Sequence, residues 1–450
     1  MSKTEPRIGA HIQRLRREKA VSQAQLAQAL GISASYLNLI EHNRRRITVG
    51  LLLKFAHYFG VDAGDLAESD KTRLAGDLME MFGDDMFADF ELTNHDIQDV
   101  ATSNAKVGQA VVRLFDKYMS LRKNSGSGAN LLVDTGQDVA TDAVSDFLQQ
   151  NVNYFPTLEA AAERVRHDIE LASDSFEYGL KTYLYNVFGL RWRQAMLPDD
   201  RSHTLNMDRG ELVTAELLAP ESALFIVAQQ LGHLGALTEI DRLLASSNLP
   251  PEAVPIAREA LASYFAAALI MPYQAFHRAC VETRYDVERI GRSFRTSFEQ
   301  VCHRMTTLQR PGLSGVPMHL VRTDIAGNIS KRFSLSGIHI PRHSGACPRW
   351  NVYSAFLNPD QINVQISQMP EGQRFLCIAK SITKGGYRHN ALRRHLSIGL
   401  GVHIAHASAL IYSDGLDVTN SDKTVPIGVG CRVCPREDCG QRAHPPLRAP

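Results

Sequence analysis

Residues 22–46, SQAQLAQALGISASYLNLIEHNRRR, have the pattern of two short helices joined by a tight turn. Ser22 is placed to cap the first helix, and apolar residues recur after it at helical spacing. Gly31 tolerates the positive φ with which a helix ends, and Ser33 is placed to cap a second helix. The stretch therefore predicts a helix-turn-helix.

The outward face of the second predicted helix carries small and amide side chains, and a run of arginines follows it at once. Such a face suits a helix that lies in the DNA major groove with phosphate contacts beside it. We predict that Ser35, Asn38 and Leu39 contact base edges. The other predicted DNA-binding residues of this segment are Ser33, Arg44, Arg45 and Arg46.

The charge distribution favours DNA binding over the alternative, an ordinary helical hairpin with a solvated basic turn. Residues 1–60 hold ten Lys/Arg and three Asp/Glu, a net charge of +7, whereas the whole chain has a net charge of +1. The remaining residues therefore sum to about −6. The excess positive charge is confined to the head, where a DNA-binding surface needs it.

Over residues 8–66 the head resembles the XRE/Cro-type repressors. The resemblance implies that Gln23 binds a DNA phosphate. Modules of this kind usually bind paired half-sites as dimers, so we expect a homodimer.

The chain has 450 residues, of which 44% are hydrophobic and 22% charged, enough for about three domains. We find no apolar run near the ~20 residues that span a bilayer, and the basic N-terminus lacks an apolar signal segment. We therefore expect a cytoplasmic protein without a membrane partner. Seven cysteines, an odd number, argue against a disulfide framework.

Residues 62–104 contain twelve Asp/Glu and two Lys/Arg, which predicts a solvated acidic helical connector. Apolar residues within it, from Leu78 to Phe90, suggest that one side packs, with a dimer partner as one option. Residues 124–130, NSGSGAN, have the composition of a flexible joint.

Two strongly apolar helices are predicted at residues 222–237 and 255–271, and they resemble the domain of ImmA/IrrE-type metallopeptidases. In that family the first helix carries HExxH, which holds zinc and a catalytic glutamate. Here residues 229–233 are QQLGH, so His233 alone remains. The resemblance places a further acidic ligand near residues 259–261. We predict a peptidase scaffold kept as a framework, with an active metallopeptidase as the alternative.

GACPRW at residues 345–350 and CRVCPREDCGQRAHPP at residues 431–446 complete a distinctive combination, together with residues 285–304. Essentially end to end, the chain resembles the short-chain fatty acyl-CoA-responsive transcription regulators, which control propionate, methylcitrate and glyoxylate pathway genes. The resemblance implies a dimeric DNA-binding regulator whose effector is a short-chain acyl-CoA.

The predicted fold class is mainly α with an α+β C-terminal half. We expect a helix-turn-helix domain at residues 1–68 and an acidic helical connector, with a dimerisation role, at 69–152. A degenerate peptidase-like helical domain follows at 153–305. A mixed α/β acyl-CoA-sensing domain with a cysteine cluster takes up 306–450.

Residues 310–400 hold twelve Lys/Arg and three Asp/Glu, a net charge of +9, and such side chains hold CoA phosphates by charge-assisted hydrogen bonds. A second DNA-facing surface or a merely solvated one is the alternative. Trp350 is a candidate for stacking on adenine or for a buried anchor of the sheet. The candidate cations are Arg322, Lys331, Arg332, Arg342, Arg349, Lys380, Lys384, Arg388, Arg393 and Arg394.

Cys431, Cys434 and Cys439 have C-x2-C-x4-C spacing, which lets three thiolates hold one side of a metal or cluster. Cys347 is the best candidate for the fourth ligand, and three free thiols are the alternative. The resemblance implies a [4Fe–4S] cluster, with structural zinc as the other option. The chain departs from its relatives at Val402, where they often have cysteine.

We therefore predict a homodimeric transcription regulator, not an enzyme, that binds double-stranded operator DNA and a short-chain acyl-CoA such as propionyl-CoA. The alternative is a regulator that responds to redox state or iron through the cysteine cluster. A ligand changes operator affinity only through its different affinities for the two dimer geometries.

Overall fold

The computed structural model describes residues 12, 16, 21–41, 49–59, 74–90, 92–125, 134–172, 175–342, 346–386, 391–418, 420, 423–431 and 434–443. The chain divides into two compact units, one within residues 1–115 and one within residues 116–446, which are described separately. The protein is mainly α-helical, and its main six-stranded sheet lies in the C-terminal half. This confirms the predicted fold class.

The helix-turn-helix forms as its capping residues predict. Ser22 Oγ accepts the Gln25 backbone N–H at 3.2 Å, and Gln25 Oε1 accepts the Ser22 N–H at 2.9 Å, a reciprocal cap of the first helix. Gly31 ends that helix with φ 69°. Leu26, Leu37 and other apolar residues form a small core around Phe55. The helices are Gln23–Leu30 (α1), Ala34–Glu41 (α2) and Val49–Phe59 (α3).

The acidic connector packs one side within its own unit. Leu78 and Met81 are fully buried, and the ring of Phe87 lies 5.9 Å from that of Phe115. These contacts bury Leu78 and Met81 inside the chain, while Met86 and Phe90 are exposed, so packing of the exposed residues across a dimer stays a prediction. The elements are helical residues 74–82, a 3-10 turn at Asp85–Phe90, and the helices Asn94–Ser103 (α4) and Ala105–Ser125 (α5).

The second unit is built around a central apolar helix, Val254–Ile270, which contacts the helices Pro156–Ala172 and Pro220–Gly235. The helices in chain order are Asp134–Gln150 (α6), Pro156–Ala172 (α7), Phe176–Phe188 (α8), Pro220–Gly235 (α9), Leu237–Ala245 (α10), Val254–Ile270 (α11), Tyr273–Glu282 (α12), Val287–Phe294 (α13), Phe298–Thr306 (α14) and Asn351–Ser354 (α15). Short 3-10 turns occur at Pro198–Asp200, Pro251–Ala253, Ile404–Ala409 and Ile411–Ser413.

A buried ion pair joins α7 to α14. Arg304 donates from Nη1 and Nη2 to the two carboxylate oxygens of Glu159 at 2.6 and 2.9 Å. Arg304 Nε donates to the Met271 carbonyl at 3.0 Å, and Tyr264 donates its hydroxyl proton to Glu159 at 2.6 Å. Neither charged side chain has more than 2% of its surface exposed.

A small sheet has the order β1-β3-β2, with β1 parallel and β2 antiparallel to the central strand. All three strands lie within residues 191–215. Their bounds are Arg191–Ala195 (β1), His203–Asn206 (β2) and Glu211–Ala215 (β3).

Among the described residues, the main sheet has six strands in the order β11-β8-β9-β10-β6-β7. The pair of β11 with β8 is parallel, and the other neighbouring pairs are antiparallel. Leu320, Ile398 and Leu400 belong to the core shared with the helices, whereas Phe375 and Ala379 belong to a second core that includes Trp350. A two-stranded hairpin, β4 and β5, precedes the main sheet along the chain. The strands are Gln309–Arg310 (β4), Leu313–Ser314 (β5), Met318–Asp324 (β6), Ile329–Ser334 (β7), Asn363–Gln368 (β8), Arg374–Gly385 (β9), Arg393–His403 (β10) and Val425–Pro426 (β11).

Gly399 on β10 lets α15 approach the sheet closely. A Cβ at this position would lie 2.5 Å from Val352 Cγ1 and 2.9 Å from Val321 Cγ1. Both neighbours belong to the second core, so a side chain at this position would overpack it.

One segment, Pro251–Ile270, is long and apolar enough to cross a membrane, with a mean hydropathy of 1.4. The expectation that no such run exists is therefore wrong. Within the protein, 61% of that window is buried, which is the environment of a core helix.

Candidate functional site

The predicted DNA-binding residues that the structure describes lie on the exposed face of α2 or near the ends of helices. Asn38 and Leu39 on α2 are exposed, while Leu37 and Ile40 are buried beneath them. Ser33 Oγ accepts the Tyr36 N–H at 3.1 Å, so this hydroxyl caps α2. Gln23 is half-buried at the start of α1. The side chain of Ser35 and all of Arg44, Arg45 and Arg46 lie outside the described residues.

The degenerate peptidase positions bind one another instead of presenting free ligands. His233 Nε2 lies 2.8 Å from Glu259 Oε2, and the Gln229 amide donates to Glu259 Oε1 at 2.9 Å and to Ser263 Oγ at 2.7 Å. The structure thus places Glu259 opposite the QQLGH segment, which the sequence alone did not establish. An amide is a poor zinc ligand and cannot take a proton from water, so this hydrogen-bonded group lacks two parts of the catalytic set.

His203 on β2 approaches the same group. Burial first, and the charge of His233 in addition, lower the pKa of His203, while Glu259 opposes them. The contact with His233, against an opposing effect of burial, holds the pKa of Glu259 below its usual range. Within the described residues, no three His, Cys, Asp or Glu side chains are arranged to hold a metal ion.

Four basic side chains gather on the helix-facing side of the main sheet. Lys380, Ile398 and Arg322 are directly opposed on β9, β10 and β6, and Lys331 on β7 opposes Arg322. Directly opposed residues share a sheet face. Lys384 lies two pairs further along β9 on that face. We call Arg322, Lys331, Lys380 and Lys384 the cation cluster.

Two carboxylates from the helices above the sheet enter this cluster. Glu299, in the first turn of α14, accepts from Arg322 Nη1 at 2.9 Å and pairs with Lys384. Glu288 on α13 pairs with Lys380 at 2.8 Å. Burial opposes the ionisation of Glu299, but the contact with His303 and the charges of Lys384 and Lys331 outweigh it and hold its pKa well below the usual range.

Lys331 has no hydrogen bond or ion pair among the described residues. Burial by the surrounding protein lowers the pKa of Lys331 to about 8; Arg322 and Lys384 add to this effect, and Glu299 opposes it. The side chain nevertheless keeps contact with solvent. Lys331 is thus an exposed residue whose amine lies close to other positive charges.

His303 on α14 is the neutral member of this site. Burial, and next the charge of Lys331, lower its pKa to about 4. Its Nε2 is buried without a hydrogen-bond partner and lies 3.7 Å from Glu299 Oε1, too far for a hydrogen bond. Sequence analysis missed Glu299 and His303, although the spacing of four residues on a capped helix places them on one face.

The other predicted cations do not join the cluster. Arg332 pairs with Asp142 at 2.8 Å and Arg342 with Asp146 at 3.0 Å, so both arginines attach α6 to the C-terminal region. Arg349 is half-buried beside the second core. On β10, Arg393 and Arg394 are exposed, and Arg394 opposes Lys384. Arg388 lies outside the described residues.

Trp350 is the anchor of the second core, not an exposed stacking surface. Its ring is 7% exposed, and its indole N–H donates to the Gly428 carbonyl at 3.0 Å. A cavity of about 20 Å³ beside it has room for about one water molecule, which is too small for an adenine ring.

Three of the four predicted metal-ligating cysteines interact. Burial raises the pKa of Cys347, as do the thiols of Cys431 and Cys434, while the backbone N–H groups of Arg349 and Gly428 favour its thiolate. Cys434 is buried, and Cys431 and Cys439 are half-buried. Among the described residues these cysteines are not arranged as three ligands of one metal ion, so the metal site stays a prediction.

Arg442 binds several backbone carbonyls of the C-terminal segment. The Arg442 guanidinium donates to the carbonyls of Cys431 at 2.8 Å and Cys434 at 3.1 Å, and also to that of Arg436. The remaining cysteines, Cys280, Cys302 and Cys377, are buried, and burial raises the pKa of each thiol. They are therefore poor nucleophiles.

Three family models match the chain. They are a helix-turn-helix over residues 12–66, an IrrE N-terminal-like domain over residues 190–306, and the C-terminal domain of short-chain fatty acyl coenzyme A regulators over residues 307–450. The last two cover most of the second unit, and the cation cluster lies in the last.

Curated relatives match over nearly the whole length of the chain. The HTH-type transcriptional regulator RamB of Mycobacterium tuberculosis is 37% identical over 461 residues, which cover 99% of this chain and 96% of that protein. PrpR of the same species is 35% identical, covering 98% and 92%. The propionyl-CoA carboxylase regulator of Cereibacter sphaeroides is 36% identical, covering 98% and 94%.

A solved structure, described as a Mycobacterium tuberculosis transcriptional regulator, has a TM-score of 0.65 and 38% identity and covers 68% of this chain and 95% of that one. The helix-turn-helix head and the C-terminal domain together define a DNA-binding transcription regulator with a sensor half. The chain belongs to the short-chain fatty acyl-CoA regulator family. The predicted family and class of function are confirmed.

Proposed function

We propose that this regulator binds operator DNA as a homodimer in the cytoplasm and responds to a short-chain acyl-CoA. The cation cluster carries the proposal, because it gathers four basic side chains within the domain matched to short-chain fatty acyl-CoA regulators. CoA carries several phosphate charges, and Lys and Arg hold such groups by charge-assisted hydrogen bonds. The name of the Cereibacter relative supports propionyl-CoA as the first effector to test.

The proposal includes the absence of peptidase activity. Gln229 stands where the peptidase family has its first histidine, and its amide is committed to Glu259 and Ser263. Stoichiometric zinc after chelator-free purification, together with cleavage of a peptide substrate, would contradict this part of the proposal.

The experiment that tests the effector is a calorimetric titration of the purified full chain with CoA, acetyl-CoA and propionyl-CoA, followed by operator titrations with and without each. We expect selective binding of one acyl-CoA and a change of at least about fivefold in operator affinity, the lower end of typical allosteric coupling. Tight acyl-CoA binding that left operator affinity unchanged would remove it as the effector.

Replacing Asn38 with alanine is expected to weaken binding to the cognate operator about 5- to 150-fold, because an amide that contacts a base edge contributes about 1–3 kcal/mol of discrimination. Binding to unrelated DNA is expected to stay the same, since phosphate contacts dominate it. Fluorescence anisotropy with both DNAs measures the two affinities. Gln28→Ala, an exposed amide on α1, is the matched control, and an equal loss on both DNAs would exclude base contact by Asn38.

A second candidate function is redox or iron sensing through the cysteine cluster. The interaction of Cys347 with Cys431 and Cys434 supports it, and Cys439 on the same segment is the fourth candidate ligand. These residues would hold a [4Fe–4S] cluster or structural zinc. Iron and sulfide analysis, with visible absorbance bleached by oxidant together with loss of operator binding, would favour this function over acyl-CoA sensing.

A further inference from the structure

The positive charges of the cation cluster exceed the negative charges that neighbouring carboxylates supply. Arg322, Lys331 and Lys384 converge on the single carboxylate of Glu299, because Lys380 is neutralised separately by Glu288. With His303 neutral, these three cations and Glu299 together have a net charge of +2 at neutral pH. Charges of one sign that lie this close together repel one another unless an opposite charge compensates them.

The polar atoms around Glu299 also exceed what one carboxylate satisfies. The Lys331 side chain is exposed to solvent and has no hydrogen bond or ion pair among the described residues. His303 Nε2 is buried without a partner and is directed at Glu299 from 3.7 Å. An amine and an imidazole nitrogen therefore border the same carboxylate with unused hydrogen-bonding capacity.

We propose that Glu299 occupies, in the free protein, the position that a ligand phosphate takes in the bound protein. A phosphate monoester or diphosphate displaces Glu299 from Arg322 and Lys384 and also binds Lys331. A doubly charged phosphate compensates two of the three positive charges, whereas the carboxylate that it displaces compensates one. It also has three acceptor oxygens, enough to serve the amine and the imidazole as well as the two original partners. The inference rests on the proposed function in one respect, that the phosphate is one of those of CoA.

The displacement supplies a route from ligand to protein. Glu299 lies in the first turn of α14, and its ion pairs attach that turn to β6 and β9. When a phosphate takes over Arg322 and Lys384, the helix loses this attachment to the sheet. Free and bound protein then differ in a defined contact, which is what a ligand-driven change of conformation requires.

The test compares Glu299→Gln and Lys331→Met with the wild-type full chain, using propionyl-CoA, CoA and inorganic pyrophosphate as probes. Removal of the competing carboxylate is expected to tighten CoA and pyrophosphate binding about tenfold, whereas Lys331→Met is expected to weaken both about tenfold. The matched controls, Glu371→Gln and Lys423→Met, change exposed residues outside the site and are expected to stay within about twofold of wild type.

The outcomes separate the inference from the proposed function. If wild type binds acyl-CoA but neither variant changes its affinity, the displacement is wrong and the proposed effector stands. If the affinity for pyrophosphate rises in Glu299→Gln and falls in Lys331→Met but no acyl-CoA binds, the site binds free phosphate and the proposed effector is wrong. Should Glu299→Gln not fold, Lys331→Met decides, because unchanged pyrophosphate and CoA affinity in that variant overturns the site.

Discussion

Replacing Arg304 with methionine is expected to lower the free energy of unfolding of the second unit by about 3–5 kcal/mol. Arg304 is fully buried, and the change leaves the carboxylate of Glu159 buried without its cation. Tyr264 would remain as a donor to Glu159, but a hydroxyl does not compensate a charge. The cost comes from the uncompensated charge and not from lost packing, since methionine keeps much of the apolar volume.

The surroundings of Arg304 explain why removing the partner costs so much. Its guanidinium also donates to the Met271 carbonyl and to Thr307 Oγ1, both at 3.0 Å. Its carbon Cζ lies 5.7 Å from the ring centroid of Tyr273 and 6.0 Å from that of Phe276. Among the described residues no second Lys or Arg side chain contacts Glu159, so no other cation replaces Arg304.

Urea unfolding followed by tryptophan fluorescence measures the effect, because both tryptophans, Trp192 and Trp350, belong to the second unit. Arg164→Met is the control: its ion pair with Glu239 leaves the arginine side chain 64% exposed, and the expected loss is below about 1 kcal/mol. The double variant Arg304→Met/Glu159→Gln is expected to recover part of the loss, since it removes the buried charge. Equal losses for Arg304→Met and Arg164→Met would contradict the prediction.

Binding of a phosphate-bearing ligand at the cation cluster is expected to weaken about tenfold between pH 7 and pH 9. The pKa of Lys331 in the free protein is lowered to about 8, mainly by burial. Its protonated form costs stability at pH values below about 8, and this cost disappears as the pH rises and the amine loses its proton. A bound phosphate favours the protonated amine of Lys331. At pH 7 this amine already carries its proton, whereas at pH 9 it must take up a proton when the phosphate binds, and this lowers the affinity.

The other charged groups that face Lys331 do not produce this dependence. From α14, Glu299 stays ionised and His303, with a pKa of about 4, stays neutral over this range. Arg322 faces it from β6 and Lys384 from β9. The second ionisation of a phosphate monoester lies near 6, so the ligand changes little above pH 7.

Calorimetry at pH 7 and 9, in two buffers of different ionisation enthalpy, measures both the affinity and the proton uptake. Lys331→Met is expected to bind weakly with almost no pH dependence, while Lys423→Met keeps the wild-type profile. An affinity that is the same at both pH values in wild type would exclude Lys331 from the site.

Local signals were sufficient to predict the head and much of the helical middle. The reciprocal cap at Ser22 and the positive φ of Gly31 formed as predicted, because both depend on residues within one turn of the helix end. The apolar periodicity of 255–271 similarly identified the helix that is central to the second unit. The same apolar composition makes Pro251–Ile270 long and apolar enough to cross a membrane. Only tertiary burial distinguishes a membrane-spanning helix from a core helix of this kind.

The candidate ligand site could be predicted only in composition. An excess of basic residues in 310–400 pointed to the main sheet. It did not separate Arg322 and Lys331 from Arg332, which is next to Lys331 in sequence and pairs with Asp142 on α6. Adjacent strand residues face opposite sides, and the opposed partners are set by strand order and register.

The sequence by itself determined the elements with short-range causes: the capped helices of the head, the loss of two HExxH residues in 229–233, and the spacing of the C-terminal cysteines. Tertiary structure alone decided that Glu259 meets His233, that Arg304 is neutralised by Glu159, and that Glu299 lies among three cations. The physical reason is distance along the chain. Capping and helical periodicity act over three or four residues, whereas the charge balance of a buried site depends on which distant segments the core brings together.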